Sequence, residues 1–233
     1  MNLFEWGGVV RIFRTLGCIA AATIAAMAIG HSANATIYTL SVDGCSGGCG
    51  TGPWGTVKVT QDVDNKSLDF SVVLSNTALY HFHENPDPNH HAFVFDLVGD
   101  PAVTITGLST GFARDTSHLN ASPFGTFDYA IDCTGCGHGF NGGKAGPLDF
   151  KVTPTAGALG LASIAANLYT VQTKVEKIAF AVDIVNKSGG TGNVGAEEVE
   201  GVPELSTWAM MIIGFGGVAL RLRRRGGVIA QAA

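Results

Sequence analysis

Four histidines lie close together in the chain, as two pairs separated by a short stretch rich in proline and polar residues. They are His81, His83, His90 and His91. His81 and His83 are two residues apart, so in a strand they share one face. With Glu84 and Asp87 nearby, these imidazoles could provide a nitrogen-rich site for a divalent cation such as zinc, copper or nickel. The alternative is a cross-strand cluster in which the imidazoles hydrogen-bond to one another, to aspartate or to water.

Four cysteines form two closely spaced pairs, Cys45 with Cys49 and Cys133 with Cys136. In an extracytoplasmic protein an even number of cysteines is typical of disulfides. Three connectivities are open, and we favour the two local bridges because glycines inside both pairs permit tight loops. A zinc site built from all four thiolates is the alternative.

The chain carries no familiar catalytic motif. The sequence contains no Gly-x-Ser-x-Gly elbow, no phosphate-binding glycine loop and no dinucleotide fingerprint. Asp128 and Asp132 are four residues apart, so in one strand they share a face and could form the carboxylate pair of a secreted carbohydrate-active enzyme. Such pairs are common in β proteins. We therefore predict no catalytic residue, no enzymatic activity and no required cofactor.

The segments that contain these residues are predicted to form short strands. Period-two runs rich in Val, Ile, Phe and Thr alternate with Gly, Asn, Asp and Pro clusters, which predicts one all-β domain over residues 36–187. The predicted strands are 56–61, 68–74, 78–83, 90–98, 103–106, 125–131, 148–152, 159–164 and 177–185. Hairpins join the first two and the next two, and the second would bring the histidines together. This spacing favours an antiparallel two-sheet β-sandwich.

Residues 1–35 contain the features of an export signal in their usual order. Arg11 and Arg14 precede an apolar run over 16–30, and Ala33 and Ala35 form a small-residue cleavage site. The apolar run is shorter than the roughly 20 residues of a spanning helix. We therefore predict a signal helix that is cleaved after Ala35, with an uncleaved anchor as the alternative.

The C-terminal region reads as a spacer followed by a membrane segment. Residues 188–201 are rich in glycine and then acidic, which predicts a flexible spacer. An apolar stretch predicts a short transmembrane helix over 206–220, and a cytoplasmic tail follows over 226–233. Four arginines separate the two: Arg221, Arg223, Arg224 and Arg225. Positive charge stays on the cytoplasmic side, so the β domain is expected outside the membrane.

Residues 202–225 resemble a PEP-CTERM sorting tail of the PEPxxWA type. The resemblance is carried by Val202, Pro203 and Glu204, by Trp208, by the Gly-Phe-Gly that follows, and by the arginine cluster. Leu205 stands where the family has its second proline. The resemblance implies that an exosortase-like membrane enzyme recognises and removes the tail, and that the protein reaches the cell surface or the medium. It also implies an association with exopolysaccharide.

Charge excludes one class of partner. Residues 36–205 carry eight Lys and Arg against eighteen Asp and Glu, a net charge of −10. An acidic domain of this kind is unsuited to nucleic acid. We therefore predict a non-enzymatic, exported surface or extracellular-matrix protein, held in the inner membrane until its tail is processed. The alternatives are a metal-binding module using the four histidines and the carbohydrate-active enzyme.

Overall fold

The computed structural model describes residues 34–45, 48–64, 66–83, 90–116, 119–171 and 174–197, together with Phe215. The strands in these ranges are β1 (Ala35–Asp43), β2 (Gly55–Gln61), β3 (Leu68–Leu74), β4 (Tyr80–Phe82), β5 (Phe93–Leu97), β6 (Val103–Thr106), β7 (Phe112–Asp115), β8 (Tyr129–Cys133), β9 (Leu148–Pro154), β10 (Ile164–Ala165), β11 (Asn167–Val171), β12 (Lys174–Asn186) and β13 (Thr191–Glu197). Two short 3-10 helices cover Phe140–Gly142 and Leu161–Ser163.

The strands pair antiparallel in one continuous sheet, in the order β6-β9-β3-β2-β1-β13-β12-β5-β8-β7. The short strands β4 and β11 pair with β12, and β10 pairs with β5. Alternation along these strands points one set of side chains inward and the other outward. The prediction of an antiparallel all-β domain is confirmed.

The sheet curls into a nearly closed barrel, and the predicted two-sheet sandwich is therefore wrong. The two end strands, β6 and β7, are joined directly by residues 107–111, which keeps the two edges near each other. Arg114 Nη1 on β7 donates a hydrogen bond of 2.9 Å to the carbonyl oxygen of Val103 on β6. A sandwich and a barrel both require one buried face per strand, so alternation in the sequence does not distinguish them.

Aromatic side chains fill the interior of the barrel. Phe70 stacks on Phe150 with ring centroids 4.8 Å apart, and Phe93 lies 5.7 Å from Phe180. Each pair comes from two neighbouring strands, and Phe70 also lies 6.0 Å from Phe180, so the two pairs meet in the interior. All four rings are buried. Burying each such side chain contributes roughly 1.5–3 kcal/mol, so this interior is the main source of stability.

A second apolar cluster covers the outer face of β5, β8 and β12. Phe124 and Phe127, in the segment before β8, pack there with Val94, Ala130 and Ile178. Because this segment lies over the sheet, side chains that point outward from the middle of β12 are buried as well. The barrel wall is therefore apolar on both faces in this region.

The segment that carries the histidines is an insertion between two collinear strands. Phe82 of β4 pairs with Ile184, and Val94 of β5 pairs with Ala181 on the same strand, β12. β4 and β5 thus continue one another along β12, and the chain leaves that line after His83 and rejoins it at Phe93. The predicted hairpin between 78–83 and 90–98 is wrong, because both strands take β12 as their partner.

The predicted spacer over 188–201 is also wrong over most of its length. β13 lies inside this range, pairs with both β1 and β12, and is buried along its middle five residues. A Cβ on Gly195 would lie 3.1 Å from Ile178 Cδ1, and one on Gly192 would lie 2.9 Å from Cys45 Cα. The glycines serve close packing here, and residues 198–201 lie outside the described residues.

One predicted strand is not a strand over most of its length, and several strands were not predicted. Residues 159–164 contain the second 3-10 helix and only the start of the two-residue strand β10. The strands missing from the prediction are β1, β7, β11 and β13. β1 begins with a small-residue pattern that reads as a signal cleavage site, and β7 is only four residues long.

The predicted signal and sorting segments fall almost wholly outside the described residues. Of the predicted signal, Asn34 and Ala35 are described, and Ala35 is the first residue of β1. Of the predicted tail and transmembrane segment, Phe215 is described. Within the part of the chain that the structure describes, no helix has both the length and the apolar character needed to cross a bilayer.

Candidate functional site

Polar side chains gather where the insertion between β4 and β5 leaves and rejoins the barrel. We call the first group the Asp183 set: Asp183, His83, His90 and Thr191. The Asp183 carboxylate has no solvent exposure, and its Oδ2 lies 3.2 Å from His90 Nδ1 and 3.5 Å from His83 Nδ1. One buried carboxylate thus holds an imidazole from each end of the insertion.

Thr191 is the third side chain that contacts the buried Asp183 carboxylate. Its hydroxyl lies 3.4 Å from Asp183 Oδ1 and 3.1 Å from His83 Nδ1. The backbone N–H of His83 also donates to the Asp183 carbonyl oxygen at 3.0 Å. A buried carboxylate is costly unless it is paired and hydrogen-bonded, so the two imidazoles and the Thr191 hydroxyl explain why this side chain can be buried. The Asp183 set fixes the base of the insertion.

The second group lies beside the first, and we call it the His91 set: His91, Asp115 and Asp132. His91 Nδ1 lies 2.7 Å from Asp132 Oδ1 and 3.6 Å from Asp115 Oδ2. The His91 side chain is 3% exposed, whereas about a quarter of each carboxylate side chain is exposed. One ligand atom from each residue falls within 4.8 Å of the other two. One nitrogen and two oxygen donors therefore converge at the surface.

Strand register explains why the two carboxylates meet. Asp132 on β8 lies opposite Ala113 on β7, and Asp115 is two residues further along β7. Asp115 and Asp132 are therefore diagonal neighbours on one face of this strand pair. His91 lies two residues before β5, which pairs with β8, and its imidazole reaches both carboxylates. The geometry depends on three strands that are distant in sequence.

His81 does not join the other three histidines. Its ring stacks on Phe140 with centroids 4.0 Å apart, and its Nδ1 lies 2.8 Å from the Phe140 carbonyl oxygen. His81 therefore anchors the glycine-rich loop that contains the first 3-10 helix. Among the described residues, the four predicted imidazoles divide among three settings and do not converge on one point.

Both cysteine pairs form the local disulfides that the spacing predicts. Cys45 is bonded to Cys49, and Cys133 is bonded to Cys136. The four-thiolate zinc alternative is wrong, because none of these sulfurs is free to bind a metal as a thiolate. Asp43, Cys45 and Cys49 lie close enough to hold an ion only if that disulfide is reduced. Cys133 follows Asp132 directly, so the second bridge braces the end of β8 beside the His91 set.

A separate acidic group surrounds the start of β8. The Asp128 N–H donates to Asp96 Oδ1, and the Tyr129 hydroxyl donates to Asp100 Oδ1 at 3.0 Å. Burial, with the nearby Asp128 charge, raises the pKa of Asp96 to about 6. Burial and then the charge of Asp100 raise the pKa of Asp128. Burial and the hydrogen bond to Asp100 raise the pKa of Tyr129.

The candidate glycosidase pair is divided between these groups. Asp128 lies with Asp96 and Asp100, whereas Asp132 lies with His91 and Asp115. Asp128 precedes β8 and is not part of a regular strand with Asp132. The shared strand face on which the carbohydrate-active alternative depends is therefore absent for these two carboxylates.

Sequence reasoning missed Asp115, Asp183 and Thr191. Asp183 does leave a signal, since it is a single charge inside the apolar run Ile178–Val185 of β12. A lone carboxylate in such a run must be paired when buried. Asp115 and Thr191 lie in a short polar strand and a glycine-rich segment, and nothing local distinguishes them.

The predicted cleavage and sorting residues are not part of either set. Ala35 starts β1, and Ala33 lies outside the described residues. The predicted tail residues also lie outside them: Val202, Pro203, Glu204, Trp208, Arg221, Arg223, Arg224 and Arg225. Comparison of the chain with protein-family models, with curated protein sequences and with solved structures found no match.

Proposed function

We propose that this chain is a non-enzymatic, exported surface or extracellular-matrix protein that an exosortase-like membrane enzyme sorts and processes. The observation that carries the proposal is the closure of both cysteine pairs as disulfides within one small β domain. Disulfides persist in oxidising compartments outside the cytoplasm and are rare inside it. The domain is therefore suited to the periplasm, the cell surface or the medium.

The positions of the first and last barrel strands are consistent with a signal before the domain and a sorting tail after it. β1 begins at Ala35, so cleavage after that residue leaves Thr36 paired with Val59 and the rest of the strand in place. β13 ends at Glu197, a few residues before the PEP-CTERM-like tail at Val202. Removal of the signal and the tail would therefore leave every central strand of the barrel intact.

The outer face of the barrel offers a contact surface for exopolysaccharide. A shallow groove of about 580 Å³ crosses β2, β3, β9 and β6. Its outward side chains include Lys58, Asp69, Ser71, Thr106 and Lys151. Ammonium, carboxylate and hydroxyl groups of this kind hydrogen-bond to sugar hydroxyls. We expect a Lys58→Ala, Ser71→Ala variant to bind matrix polysaccharide more weakly, and Lys187→Ala, on the β12–β13 turn, to bind normally.

Export and processing are tested by following the full chain in a Gram-negative host with and without an exosortase-like enzyme. Mass spectrometry of the mature protein should find Thr36 at the N-terminus, no tail after processing and no alkylatable thiol. Changing the four arginines after residue 220 to Gln should retain the precursor, whereas Lys187→Gln, which removes one positive charge outside the tail, is the control. A retained Met1 together with free thiols in the cytoplasm would refute the proposal.

A further inference from the structure

We propose that His91, Asp115 and Asp132 form a zinc site with three protein ligands on one face of the β7–β8 strand pair. The site is distinct from the four-histidine site that the sequence indicates, since it uses only one of those imidazoles. It is also independent of export and sorting. The donors converge, they differ in chemistry, and rigid elements hold them.

The donor set favours a transition metal such as zinc over magnesium and calcium. Imidazole suits zinc, copper, iron and nickel, whereas magnesium and calcium prefer oxygen ligands only. Zinc readily accepts one histidine nitrogen together with aspartate oxygens. Three protein ligands leave the fourth tetrahedral position for water or for a donor from another molecule, as in open zinc sites.

The two distances from His91 Nδ1 to the carboxylates are close to those of a tetrahedral zinc site. Zinc bonds of about 2.1 Å place tetrahedral donors roughly 3.4 Å apart. The 3.6 Å between His91 Nδ1 and Asp115 Oδ2 already fits this geometry. The 2.7 Å between His91 Nδ1 and Asp132 Oδ1 is a hydrogen bond, and it must lengthen by about 0.7 Å as zinc replaces the shared proton.

The scaffold around the ligands limits their movement. β7 and β8 pair over four residue positions and so hold the two carboxylates in register. Ile131 and Cys133 on either side of Asp132 are buried, and Cys133 is also held by its disulfide. Binding sites on paired strands are better organised than sites on free loops, because less ordering is needed when the ligand binds.

The residues on either side of the third ligand, His91, are held in place. Asp183 binds His90, the residue directly before His91, and Ala92 directly after it is buried. Both neighbours of His91 are therefore fixed, and its nearly buried imidazole points Nδ1 at the two carboxylates. Asp183 acts as a positioning residue for His91 and is not itself a ligand of the proposed ion.

The test is zinc titration of the full chain in detergent by isothermal calorimetry, with bound metal counted by plasma mass spectrometry. We expect one zinc per chain, with affinity reduced at least about tenfold in Asp115→Asn and in His91→Gln. His138→Ala, which removes an exposed histidine in the glycine-rich loop, is the control and should leave affinity unchanged. Circular dichroism and thermal unfolding check that each variant folds.

Asp115→Asn keeps the test decisive if His91→Gln does not fold, because Asp115 is near the sheet edge and partly exposed. Zinc X-ray absorption should show a shell of nitrogen and oxygen only. Absence of stoichiometric zinc in the wild-type chain would overturn the proposal. So would sulfur in the zinc shell, or binding that is lost in His83→Gln but retained in both Asp115→Asn and His91→Gln.

Discussion

Asp96 on β5 is a buried carboxylate whose ionisation opposes folding, and its replacement by asparagine makes a quantitative prediction. The residue is 7% exposed, and its Oδ1 accepts the Asp128 N–H. Burial raises its pKa from 3.8 to about 6, with a smaller contribution from the Asp128 charge. The folded state therefore binds this proton more tightly than the unfolded state does.

The sign of the pH dependence follows from that difference. Below about pH 4 the carboxyl group is protonated in both states and does not oppose folding. Between about pH 4 and pH 6 only the unfolded state loses the proton, so stability falls as the pH rises. The full cost is present above about pH 6. A shift of two pKa units corresponds to about 3 kcal/mol.

Asp96→Asn keeps an oxygen acceptor for the Asp128 N–H and removes the charge. We expect the free energy of unfolding to increase by up to about 3 kcal/mol at pH 7.5 and to change little at pH 4. Urea unfolding at both pH values, with linear extrapolation, measures the difference. Asp149→Asn on β9 removes an exposed carboxylate and is the control.

The outcome can contradict this reasoning in two ways. Equal gains for Asp96→Asn at pH 4 and pH 7.5 would show that loss of the charge is not the cause. A loss of stability at pH 7.5 would show that the ionised carboxylate makes favourable contacts that outweigh its burial. The expected result for Asp149→Asn is little change at either pH.

Three further predictions concern the insertion, the disulfides and the packing of the sheet. Asp183→Ala should lower the free energy of unfolding by about 1–3 kcal/mol, because the buried His83 imidazole and the partly buried His90 imidazole lose this acceptor. Urea unfolding measures the change, and an unchanged value would contradict the role of the Asp183 set. Replacing either cysteine pair by serine should lower the free energy of unfolding by about 2 kcal/mol, as expected for opening so short a loop. A loss above about 4 kcal/mol in thermal or urea unfolding would require a role beyond loop closure. Gly55→Ala should cost about 1–3 kcal/mol, because the new Cβ would clash with the Val73 carbonyl oxygen, whereas a Cβ on Gly137 would meet nothing closer than 3.8 Å. Equal unfolding midpoints for the two variants would contradict this.

Local sequence patterns predict the strands whose neighbours in sequence are also their neighbours in space. β2 and β3 form the predicted hairpin, with the register running from Gly55 with Leu74 to Gln61 with Leu68. Both disulfides lie within loops of a few residues, where glycines decide the chain geometry. In these cases the information needed for the structure is contained in a short stretch of chain.

Local sequence patterns do not predict the pairing of the strands on either side of the insertion between β4 and β5. Two strand-like runs joined by a proline-rich turn ordinarily form a hairpin, yet both runs here pair with β12, about a hundred residues later. That choice separates His81 from His83, His90 and His91. It also brings in Asp183 and Asp115, which no local pattern connects with the histidines.

β13 shows the same limit for a glycine-rich segment. Its composition is typical of a flexible linker, because it has few large apolar side chains of its own. In the barrel it lies between β1 and β12, where Ile178 and Phe124 occupy the space that larger side chains would need. Glycine suits both a flexible linker and a closely packed strand, and only the neighbouring strands decide which of the two forms.

The sequence by itself predicted that the domain is antiparallel and all-β and favoured local pairing of its cysteines, because alternation and loop length are properties of short segments. The tertiary structure alone decided that the sheet closes into a barrel, that the histidines divide, and that His91 meets Asp115 and Asp132. Alternation specifies which side chains share a face of a strand, but not which strand lies beside it. Pairing between distant strands depends on the whole packed interior, and the candidate site is a product of that pairing.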